Sequence, residues 1–472
     1  MDRWFSEVFQ QWPIGRNDNQ SREELRERME RNRLSSALRR FNELYGDGEV
    51  SVLRAPARIN ILGEHVDYVS YLPTASLPFG SREHDMLMLF RATDDGQVRG
   101  ASTLEKFPPF SFELDDEKIG DRAKQTWESF VFNRPAPAPH WGNYVKGAVS
   151  FARWKYGASV KRGLRFLIES SIPPNSGASS SSALVTLTGA AIRLVNRIKY
   201  ELAELARDSS EAEWFIGTRG GALDHMTICL ARRGHSVHIS HLDRRAELVP
   251  LPSDGYRWIT FFSHEADKGR EVMLEYNERA AVSRLLIPAL LCKSKDDPDF
   301  HMPETITLDE IARIDPQTFQ ECERAFPALV RERRAHALKT GDRQRHHVGE
   351  TALVEAAVAL LSETSRPVDA RMRALGELIN MSHLSLRERY EVSTPEVEAL
   401  IAVIQDDPQV YGARLMGGGF GGNVLALTTD ENAQSLIDRA QNEFYGPRGR
   451  DGVDEGSVMV STPGDGLELL NL

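Results

Sequence analysis

One segment constrains this chain more than any other: residues 174–184 read Pro-Asn-Ser-Gly-Ala-Ser-Ser-Ser-Ser-Ala-Leu. Small side chains leave backbone N–H groups exposed, and the apolar run that follows, from Leu184, predicts a helix that starts nearby. A helix N-terminus adds partial positive charge, so the segment is suited to bind a phosphate. Its serine hydroxyls are also ligands for a hard cation such as Mg²⁺. The alternative is a serine-rich surface loop.

A glycine-rich segment lies later in the chain, where residues 412–424 read Gly-Ala-Arg-Leu-Met-Gly-Gly-Gly-Phe-Gly-Gly-Asn-Val. Such a segment lets the backbone approach a ligand closely and adopt positive φ. Taken alone, the pattern fits a plain glycine hairpin equally well. It is not a dinucleotide fingerprint, because no strand–loop–helix unit with a downstream acidic residue surrounds it. The sequence also lacks the P-loop, protein-kinase, zinc-protease and serine-hydrolase motifs.

A third segment concentrates ionisable side chains beside a short apolar stretch. Residues 54–68 read Arg-Ala-Pro-Ala-Arg-Ile-Asn-Ile-Leu-Gly-Glu-His-Val-Asp-Tyr. Carboxylates such as Glu64 and Asp67 suit a sugar, because each can accept hydrogen bonds from two hydroxyls. The alternative is a turn with solvated charges.

Length and charge narrow the class of function. The chain has 472 residues, which is enough for two or more domains with sizeable cores. Its net charge of -11 argues against a nucleic-acid or anionic-membrane surface, so any phosphate site must be local. Cys229, Cys292 and Cys322 lie far apart without metal-ligand spacing, which predicts buried free thiols in a reducing compartment. No apolar stretch is long enough to span a bilayer, and we expect a cytoplasmic protein.

Hydrophobic periodicity predicts strands and helices that alternate along the chain. Residues 50–53 and 59–62 read as two short strands around a proline, and residues 163–170 as a strand that runs into the serine-rich segment. Residues 184–206 and 270–292 read as helices. This interspersed order predicts a two-lobed α+β protein.

In their order, the three segments resemble the signature motifs of the GHMP small-molecule kinases, and residues 54–68 resemble the sugar motif of galactokinases. The segments 141–147, 345–350 and 381–392 also match the family. The resemblance implies a GHMP kinase fold with its active site in the cleft between two lobes. It divides the chain into a helical extension (1–49), an N-terminal lobe (50–240) with the sugar motif and serine-rich loop, and a C-terminal lobe (241–472) with the glycine-rich loop.

The resemblance implies ATP-dependent phosphorylation of the anomeric hydroxyl of galactose or a galactose-like sugar. Asp224 matches the catalytic aspartate of the family, and Arg58 matches its partner. The positions that match sugar-binding residues are Glu64, His65, Asp67, Gly221 and Tyr276. The positions that would bind ATP are Asn175, Ser176, Gly177, Ala178, Ser179, Ser180, Ser181, Gly418 and Gly419.

The resemblance also implies Mg²⁺, for which Ser181 and a glutamate would be ligands. The glutamate of the family lies twelve residues before the catalytic aspartate, and this chain has Ala212 there, between Glu211 and Glu213. We predict Glu211 as the ligand, because it lies four residues before Phe215 and would share a helical face with it. Glu213 would then point elsewhere.

Departures from the family pattern leave the sugar open. After Tyr68 the chain reaches Leu72-Pro73 about two residues early, and Tyr71 stands where the family has glycine. N-acetylgalactosamine, L-arabinose and a longer-chain sugar are alternatives to galactose. Two other functions are a catalytically silent sugar sensor and a kinase for a non-sugar alcohol. The serine-rich loop and Asp224 argue against the sensor, and residues 63–68 argue against the non-sugar substrate.

Overall fold

Strands and helices alternate along the chain, as the sequence predicts for an α+β fold. They are seen in a computed structural model, which describes residues 20–119, 122, 125–132, 134, 137–173, 177–217, 220–265, 270–296, 299–450 and 457–470. The strands are β1 (Ser51–Asn60), β2 (Ala75–Ser76), β3 (Pro78–Thr93), β4 (Gln97–Ser102), β5 (Phe110–Glu113), β6 (Gly163–Ser170), β7 (His235–Ser240), β8 (Arg245–Pro250), β9 (Tyr256–Phe262), β10 (Val410–Met416), β11 (Asn423–Thr429), β12 (Val458–Ser461), β13 (Pro463–Gly464) and β14 (Glu468–Leu470).

Two of the long helices, at residues 340–362 and 368–385, pack against each other, and the second also packs on the strand that leads into the glycine-rich loop. In chain order the α-helices are α1 (Gln20–Tyr45), α2 (Trp127–Phe132), α3 (Gly142–Tyr156), α4 (Ser180–Val195), α5 (Leu202–Glu213), α6 (Leu223–Leu230), α7 (Arg270–Ala281), α8 (Ile287–Asp296), α9 (Leu308–Ile314), α10 (Pro316–Ala325), α11 (Pro327–Arg333), α12 (Thr340–Ser362), α13 (Val368–Ser385), α14 (Pro395–Gln405) and α15 (Ala433–Ala440). None of these helices is long and apolar enough to cross a membrane.

The largest sheet carries the sugar motif. Its strand order is β14-β1-β3-β6-β4-β5, with β13 beside β3, and the β4–β6 pair is parallel. Alternation along β1 directs Leu53 and Ile59 into the main core, which α4 also lines, and Val52 to the opposite face. The two remaining sheets of the described ranges have the orders β10-β11-β9-β12 and β2-β7-β8.

The predicted pair of strands around Pro56 is a single strand, β1. Its register with β3 shifts between Pro56 and Arg58. A proline has no N–H to donate to the ladder, and a local irregularity lets the strand continue past it. The strand therefore carries Arg58 to its C-terminal end, directly before the turn with Glu64.

The helical extension packs on the outer face of this sheet. Phe41 of α1 is fully buried there against Val52 and Leu89. Arg33 pairs with Asp85 at 2.6 Å and with Glu169 at 3.1 Å. Within the predicted extension 1–49, residues 1–19 lie outside the described residues. The described part of the extension thus covers an apolar sheet face.

The predicted helix over residues 184–206 is wrong, because the chain forms two helices, α4 and α5, there. Arg197 adopts a φ of +56°, which is outside the helical region and separates them. The predicted helix over residues 270–292 is confirmed: α7 continues through a π-helical turn at Val282–Leu286 into α8.

The last strands return to the sheet of the sugar motif. β13 pairs with β3 and β14 pairs with β1, so residues 463–470 join the N-terminal lobe. The division of the chain at residue 240 stays a prediction. Residues 463–470 depart from this division, because they pair with strands of the N-terminal lobe although they lie at the end of the chain.

Candidate functional site

An arginine–aspartate pair lies where β1 meets α6. Arg58 Nε donates to Asp224 Oδ1 at 2.7 Å. The Arg58 side chain is buried, whereas 26% of the Asp224 side chain is exposed. Burial alone would raise the pKa of Asp224, but the charge of Arg58 and the hydrogen bond that it donates lower this pKa below its usual value. The site therefore holds an ionised carboxylate in one orientation.

A second carboxylate, that of Asp67, lies beside this pair. The Gly221 N–H donates to Asp67 Oδ2 at 3.1 Å. A β-carbon at Gly221 would lie 2.4 Å from both the backbone and the carboxylate oxygen of Asp67, so only glycine fits. Burial and then the charge of Asp224 raise the pKa of Asp67 to about 6. The two carboxylates thus have pKa values shifted in opposite directions.

Glu64 and His65 follow the turn that leaves β1. Glu64 Oε1 accepts from Arg414 Nη2 at 3.1 Å and from the Gly417 N–H at 2.9 Å. His65 Nδ1 lies 3.1 Å from the Tyr68 hydroxyl, while its Nε2 is buried without a hydrogen-bond partner in the described part of the chain. Burial, together with nearby His346, lowers the pKa of His65 to about 3. The imidazole is therefore neutral, with a nitrogen available to a ligand.

Tyr276 lies on α7, and 40% of its surface is exposed. Burial of its hydroxyl and then the charge of Asp67 raise the pKa of Tyr276 to about 12. Asp224 contributes in the same direction. The tyrosine is therefore within electrostatic reach of both carboxylates, as a residue beside a bound sugar would be.

The serine-rich loop leads into α4 next to the same carboxylates. Gly177 and Ser179 have positive φ values of +78° and +65°, and Ser179 is the N-cap residue of α4. The Ala178 carbonyl accepts the Arg58 N–H at 3.2 Å. Ser180 and Ser181 begin the helix and are partly exposed. Two of the predicted nucleotide-binding positions, Asn175 and Ser176, lie outside the described residues.

The hydroxyl of Ser182 faces two carboxylates at this loop. Its Oγ donates to Glu213 Oε2 at 3.0 Å and lies 3.4 Å from Asp224 Oδ2. His225 Nε2 lies 3.0 Å from the same Glu213 oxygen. This arrangement brings one hydroxyl and two carboxylates together at the N-terminus of α4.

The predicted pair of metal ligands, Ser181 and Glu211, is not brought together. The Glu211 carboxylate lies 3.6 Å from Arg244 Nη1, whereas the serine that contacts Glu213 is Ser182, the residue after Ser181. The expectation assumed that the ligand shares a helical face with Phe215, but Phe215 packs into an apolar cluster with Trp127 and Ala212. Residues two apart point to opposite sides of a helix, so only one glutamate can face the serine loop. The structure therefore places Glu213, and not the predicted Glu211, beside the serine-rich loop.

The donor set at Ser182 and Glu213 fits Mg²⁺. This ion prefers oxygen ligands and is usually bound through one or two carboxylates together with substrate phosphates. Ser182 Oγ and Glu213 Oε2 provide such oxygens next to the helix N-terminus that would bind the phosphates. Ser182 and Glu213 would hold the ion, with Asp224 at the margin of the site.

The glycine-rich loop joins β10 to β11 and touches the serine-rich loop. A β-carbon at Gly417 would lie 3.6 Å from the Gly177 Cα. Gly418 faces open space, whereas a β-carbon at Gly419 would lie 2.5 Å from Val392 Cβ. Of the two predicted nucleotide-binding glycines, Gly418 is thus free to approach a ligand and Gly419 packs against the protein.

Sequence reasoning missed two buried residues of α12 that hold the sugar motif. Glu350 Oε1 accepts the Gly63 N–H at 2.9 Å, and His346 Nε2 lies 3.1 Å from the Glu64 carbonyl. Both side chains are fully buried. The segment 345–350 matched the family without an assigned chemistry. The available signal was an ionisable pair at i and i+4 on one helix face.

Comparison with known proteins adds three family matches. The chain matches the galactokinase galactose-binding signature over residues 39–75, the GHMP kinases N terminal domain over residues 143–232 and the GHMP kinases C terminal domain over residues 357–446. The chain is 26% identical over 413 residues to a galactokinase of Enterococcus faecalis, which covers 86% of this chain and 93% of the relative. It is 28% identical over 406 residues to a galactokinase of Actinobacillus pleuropneumoniae serotype 3, which covers 85% and 91%.

Solved structures have the same fold. Galactokinase of Lactococcus lactis, solved in complex with galactose, has a TM-score of 0.70 at 24% identity and covers 92% of this chain and 99% of its own. Mevalonate kinase of Methanococcus jannaschii has a TM-score of 0.53 at 14% identity and covers 89% and 99%. The two-lobed GHMP kinase fold that the motifs imply is therefore confirmed.

Proposed function

The chain belongs to the galactokinase family of GHMP kinases, and from this premise we propose that it transfers the γ-phosphoryl group of ATP to the anomeric hydroxyl of galactose. The observation that carries the proposal is the Arg58–Asp224 pair, which lies between the sugar motif and the N-terminus of α4. A pair at that junction can contact both an acceptor hydroxyl and a transferring phosphoryl group.

In this reaction the anomeric oxygen forms a bond to the γ-phosphorus, and the bond from the γ-phosphorus to the ADP oxygen breaks. Asp224 accepts a hydrogen bond from the attacking hydroxyl and orients it. A carboxylate of lowered pKa is a weak base, so Asp224 takes the proton of this hydroxyl late, when the new bond has formed. Such assistance suits a loose transition state, in which positioning and charge stabilisation dominate.

Arg58 is suited to stabilise the charge of the transferring group. Its Nε is bonded to Asp224, and its buried Nη1 has no hydrogen-bond partner among the described residues. That nitrogen is left to donate to a phosphoryl oxygen. The loop from Gly177 to Ser181 would bind the phosphates of ATP, and Ser182 with Glu213 would hold Mg²⁺, which neutralises phosphate charge when bound.

The match to the galactose-binding signature over residues 39–75 and the galactokinase relatives support galactose as the sugar, and Tyr71 holds the shortened loop in place. Its hydroxyl is bonded to His347 Nδ1 at 2.6 Å, and its ring packs on the apolar cluster around Leu286 and Ile306. The shortened loop is therefore anchored on the C-terminal lobe. An ADP-release assay against galactose, N-acetylgalactosamine, L-arabinose and glucose tests the choice. Phosphorus NMR should then detect galactose 1-phosphate, and phosphorylation of a primary hydroxyl would refute the anomeric reaction.

The carboxylate of Asp67 gives the reaction a testable dependence on pH. Its pKa is raised to about 6, so the charged form dominates above that pH and the neutral form below it. The neutral acid has lost an acceptor for a sugar hydroxyl, and we expect the galactose KM to rise as the pH falls from 7 to 5. Steady-state kinetics at saturating ATP measure this rise. Asp67→Asn is the control, whose KM should be high and flat over the same range; a flat wild-type profile would contradict the assignment.

Glu213 and Glu211 form a matched pair for testing the metal site. Glu213→Gln removes a charged oxygen beside Ser182, and we expect the Mg²⁺ concentration for half-maximal rate to rise by roughly tenfold to a hundredfold, the range for metal-site substitutions. Glu211 lies two residues away, near Arg244, and Glu211→Gln should leave the Mg²⁺ concentration for half-maximal rate within about twofold of the wild-type value. A Mg²⁺ titration at fixed ATP decides, and equal effects of the two variants would refute this site.

The state of the cysteines supports a cytoplasmic location, which we include in the proposal. Cys229, Cys292 and Cys322 are free thiols; Cys229 and Cys322 are buried as predicted, whereas Cys292 is exposed. Burial raises the pKa of the Cys229 thiol and so disfavours the reactive thiolate. Free thiols are typical of proteins in a reducing compartment.

A further inference from the structure

Glu64 is held at each of its polar groups by the C-terminal lobe. Its carboxylate oxygen Oε1 accepts from Arg414 and from the Gly417 N–H. Its carbonyl lies 3.1 Å from His346 Nε2, and its N–H lies 3.4 Å from Glu350 Oε1. Arg414 also donates to the Asn60 carbonyl at 2.6 Å. The carboxylate of the sugar motif is therefore part of the contact between the lobes.

Arg414 is fully buried and finds its counter-charge in Glu64. Glu64 is the acidic partner that the structure gives to its guanidinium, at 3.1 Å. The Nε and Nη1 atoms of Arg414 have no hydrogen-bond partner in the described ranges. A buried ion pair of this kind is strongly coupled, because moving one partner leaves the other charge unpaired in a low dielectric.

Gly417 links this ion pair to the phosphate-binding loop. Its N–H is bonded to Glu64 Oε1 at 2.9 Å, and a β-carbon added to Gly417 would lie 3.6 Å from the Gly177 Cα. The backbone of Arg58 is bonded to Ala178 on the other side of the same loop. The sugar motif, the serine-rich loop and the glycine-rich loop thus meet at Gly417, where no side chain separates them.

We infer that Arg414 is a positioning residue that couples the sugar site to the nucleotide site through Glu64 and Gly417. The inference rests on the proposed function, since it assigns the Glu64 carboxylate to a sugar hydroxyl. A sugar hydroxyl that binds Glu64 fixes the carboxylate that accepts the Gly417 N–H. Gly417 in turn lies next to the serine-rich loop that would bind the phosphates. Coupling between sites is reciprocal, so nucleotide binding tightens sugar binding by the same factor, roughly tenfold.

Hydrogen exchange of the wild-type protein tests the link without a mutation. Galactose alone should slow exchange in peptides that cover residues 63–68 and also in peptides that cover 414–422. Slowing at 63–68 with no change at 414–422 would overturn the coupling and leave the proposed function intact. No slowing in either segment at saturating galactose would overturn the proposed function and the coupling with it.

Arg414→Lys tests the role of the guanidinium, and Arg371→Lys is its matched control. Arg371 is also buried, but it donates to the Leu361 carbonyl at the end of α12. The ADP dissociation constant is measured by calorimetry with and without saturating galactose. We expect galactose to tighten ADP roughly tenfold in the wild type and in Arg371→Lys, and less than about twofold in Arg414→Lys.

A split of the kinetic constants separates positioning from a loss of folded protein. Arg414→Lys should raise the galactose KM and the ATP KM together, whereas a merely structural defect would lower the active fraction and leave both KM values unchanged. If Arg414→Lys keeps the wild-type coupling factor, the inference is overturned. If it does not fold, the exchange experiment on the wild type decides alone.

Discussion

Replacing Asp224 with asparagine is expected to lower kcat by about 10²–10⁴-fold, the range for loss of a positioned acid–base group. The amide keeps the size of the side chain but loses the negative charge that pairs with Arg58 Nε at 2.7 Å. The amide nitrogen of the asparagine is a hydrogen-bond donor. It would face either the guanidinium or the acceptor hydroxyl, which are donors as well, so one hydrogen bond would be lost. Because the phosphate loop is unchanged, the ATP KM should stay within a few-fold.

Single-turnover kinetics with the purified variant measure this loss at the chemical step. The control is Asp208→Asn, which removes a carboxylate bonded to Arg193 and Lys155 beyond the site. That variant should be less stable yet retain most of its kcat. A near-normal kcat for Asp224→Asn would remove Asp224 from the reaction and leave its pair with Arg58 as a structural feature.

Replacing Arg58 with methionine is expected to lower kcat by about 10²–10³-fold, as for removal of one donor to a developing charge. Methionine fills much of the buried volume but cannot donate from the position of Nη1. The same change leaves the Asp224 carboxylate without its partner, which costs about 3–5 kcal/mol of folding free energy when a buried pair is broken. Thermal unfolding with and without galactose measures the second effect separately.

The pH dependence of kcat tests the electrostatic role of Arg58 toward Asp224 more directly than the rate at one pH. Arg58 lowers the pKa of Asp224, so the ionised form persists to low pH in the wild type. Without Arg58 burial dominates and the pKa rises, so the acid limb of kcat should move to higher pH in Arg58→Met. Arg58→Lys keeps the charge and should retain most of the wild-type limb. An acid limb that does not move would contradict the electrostatic role.

The lowered pKa of Asp224 also makes the stability of the fold depend on pH. A carboxylate whose folded pKa is lowered stabilises the fold above its unfolded pKa, near 3.9, and loses that contribution as the pH falls through the folded value. The Arg58–Asp224 pair therefore contributes fully at neutral pH. Asp67 has the opposite shift, so its ionisation opposes folding above pH about 6.

Local chemistry explains what could be predicted from the sequence. Glycine at 417 and small residues from 177 to 182 specify backbone that can approach a phosphate, because steric freedom is a property of the residue itself. Alternating apolar residues predicted the strand over residues 163–170, and the structure has it as β6. The order of the three motifs resembles that of the GHMP kinases, and this resemblance predicted the fold.

The boundaries of helices and strands could not be predicted from local sequence in the same way. Pro56 suggested two strands, but pairing with β3 on one side and β14 on the other carries β1 through the irregularity. Residues 196–201 had no strong breaker, yet the chain leaves the helix there at Arg197. Packing against distant segments decides such positions, and it exceeds the few tenths of a kcal/mol by which helix propensities differ.

The sequence by itself determined which chemical groups the site has: two carboxylates with a histidine, a serine-rich turn and a glycine-rich loop. Only the tertiary structure decided which of these groups touch. It placed Glu213 rather than Glu211 beside Ser182, because the two glutamates lie on opposite sides of α5, and it joined Glu64 to Arg414 across 350 positions of sequence. Residue types determine which hydrogen bonds and ion pairs a side chain can form. The side of a helix on which the residue lies and the packing of the two lobes determine which partner is close enough.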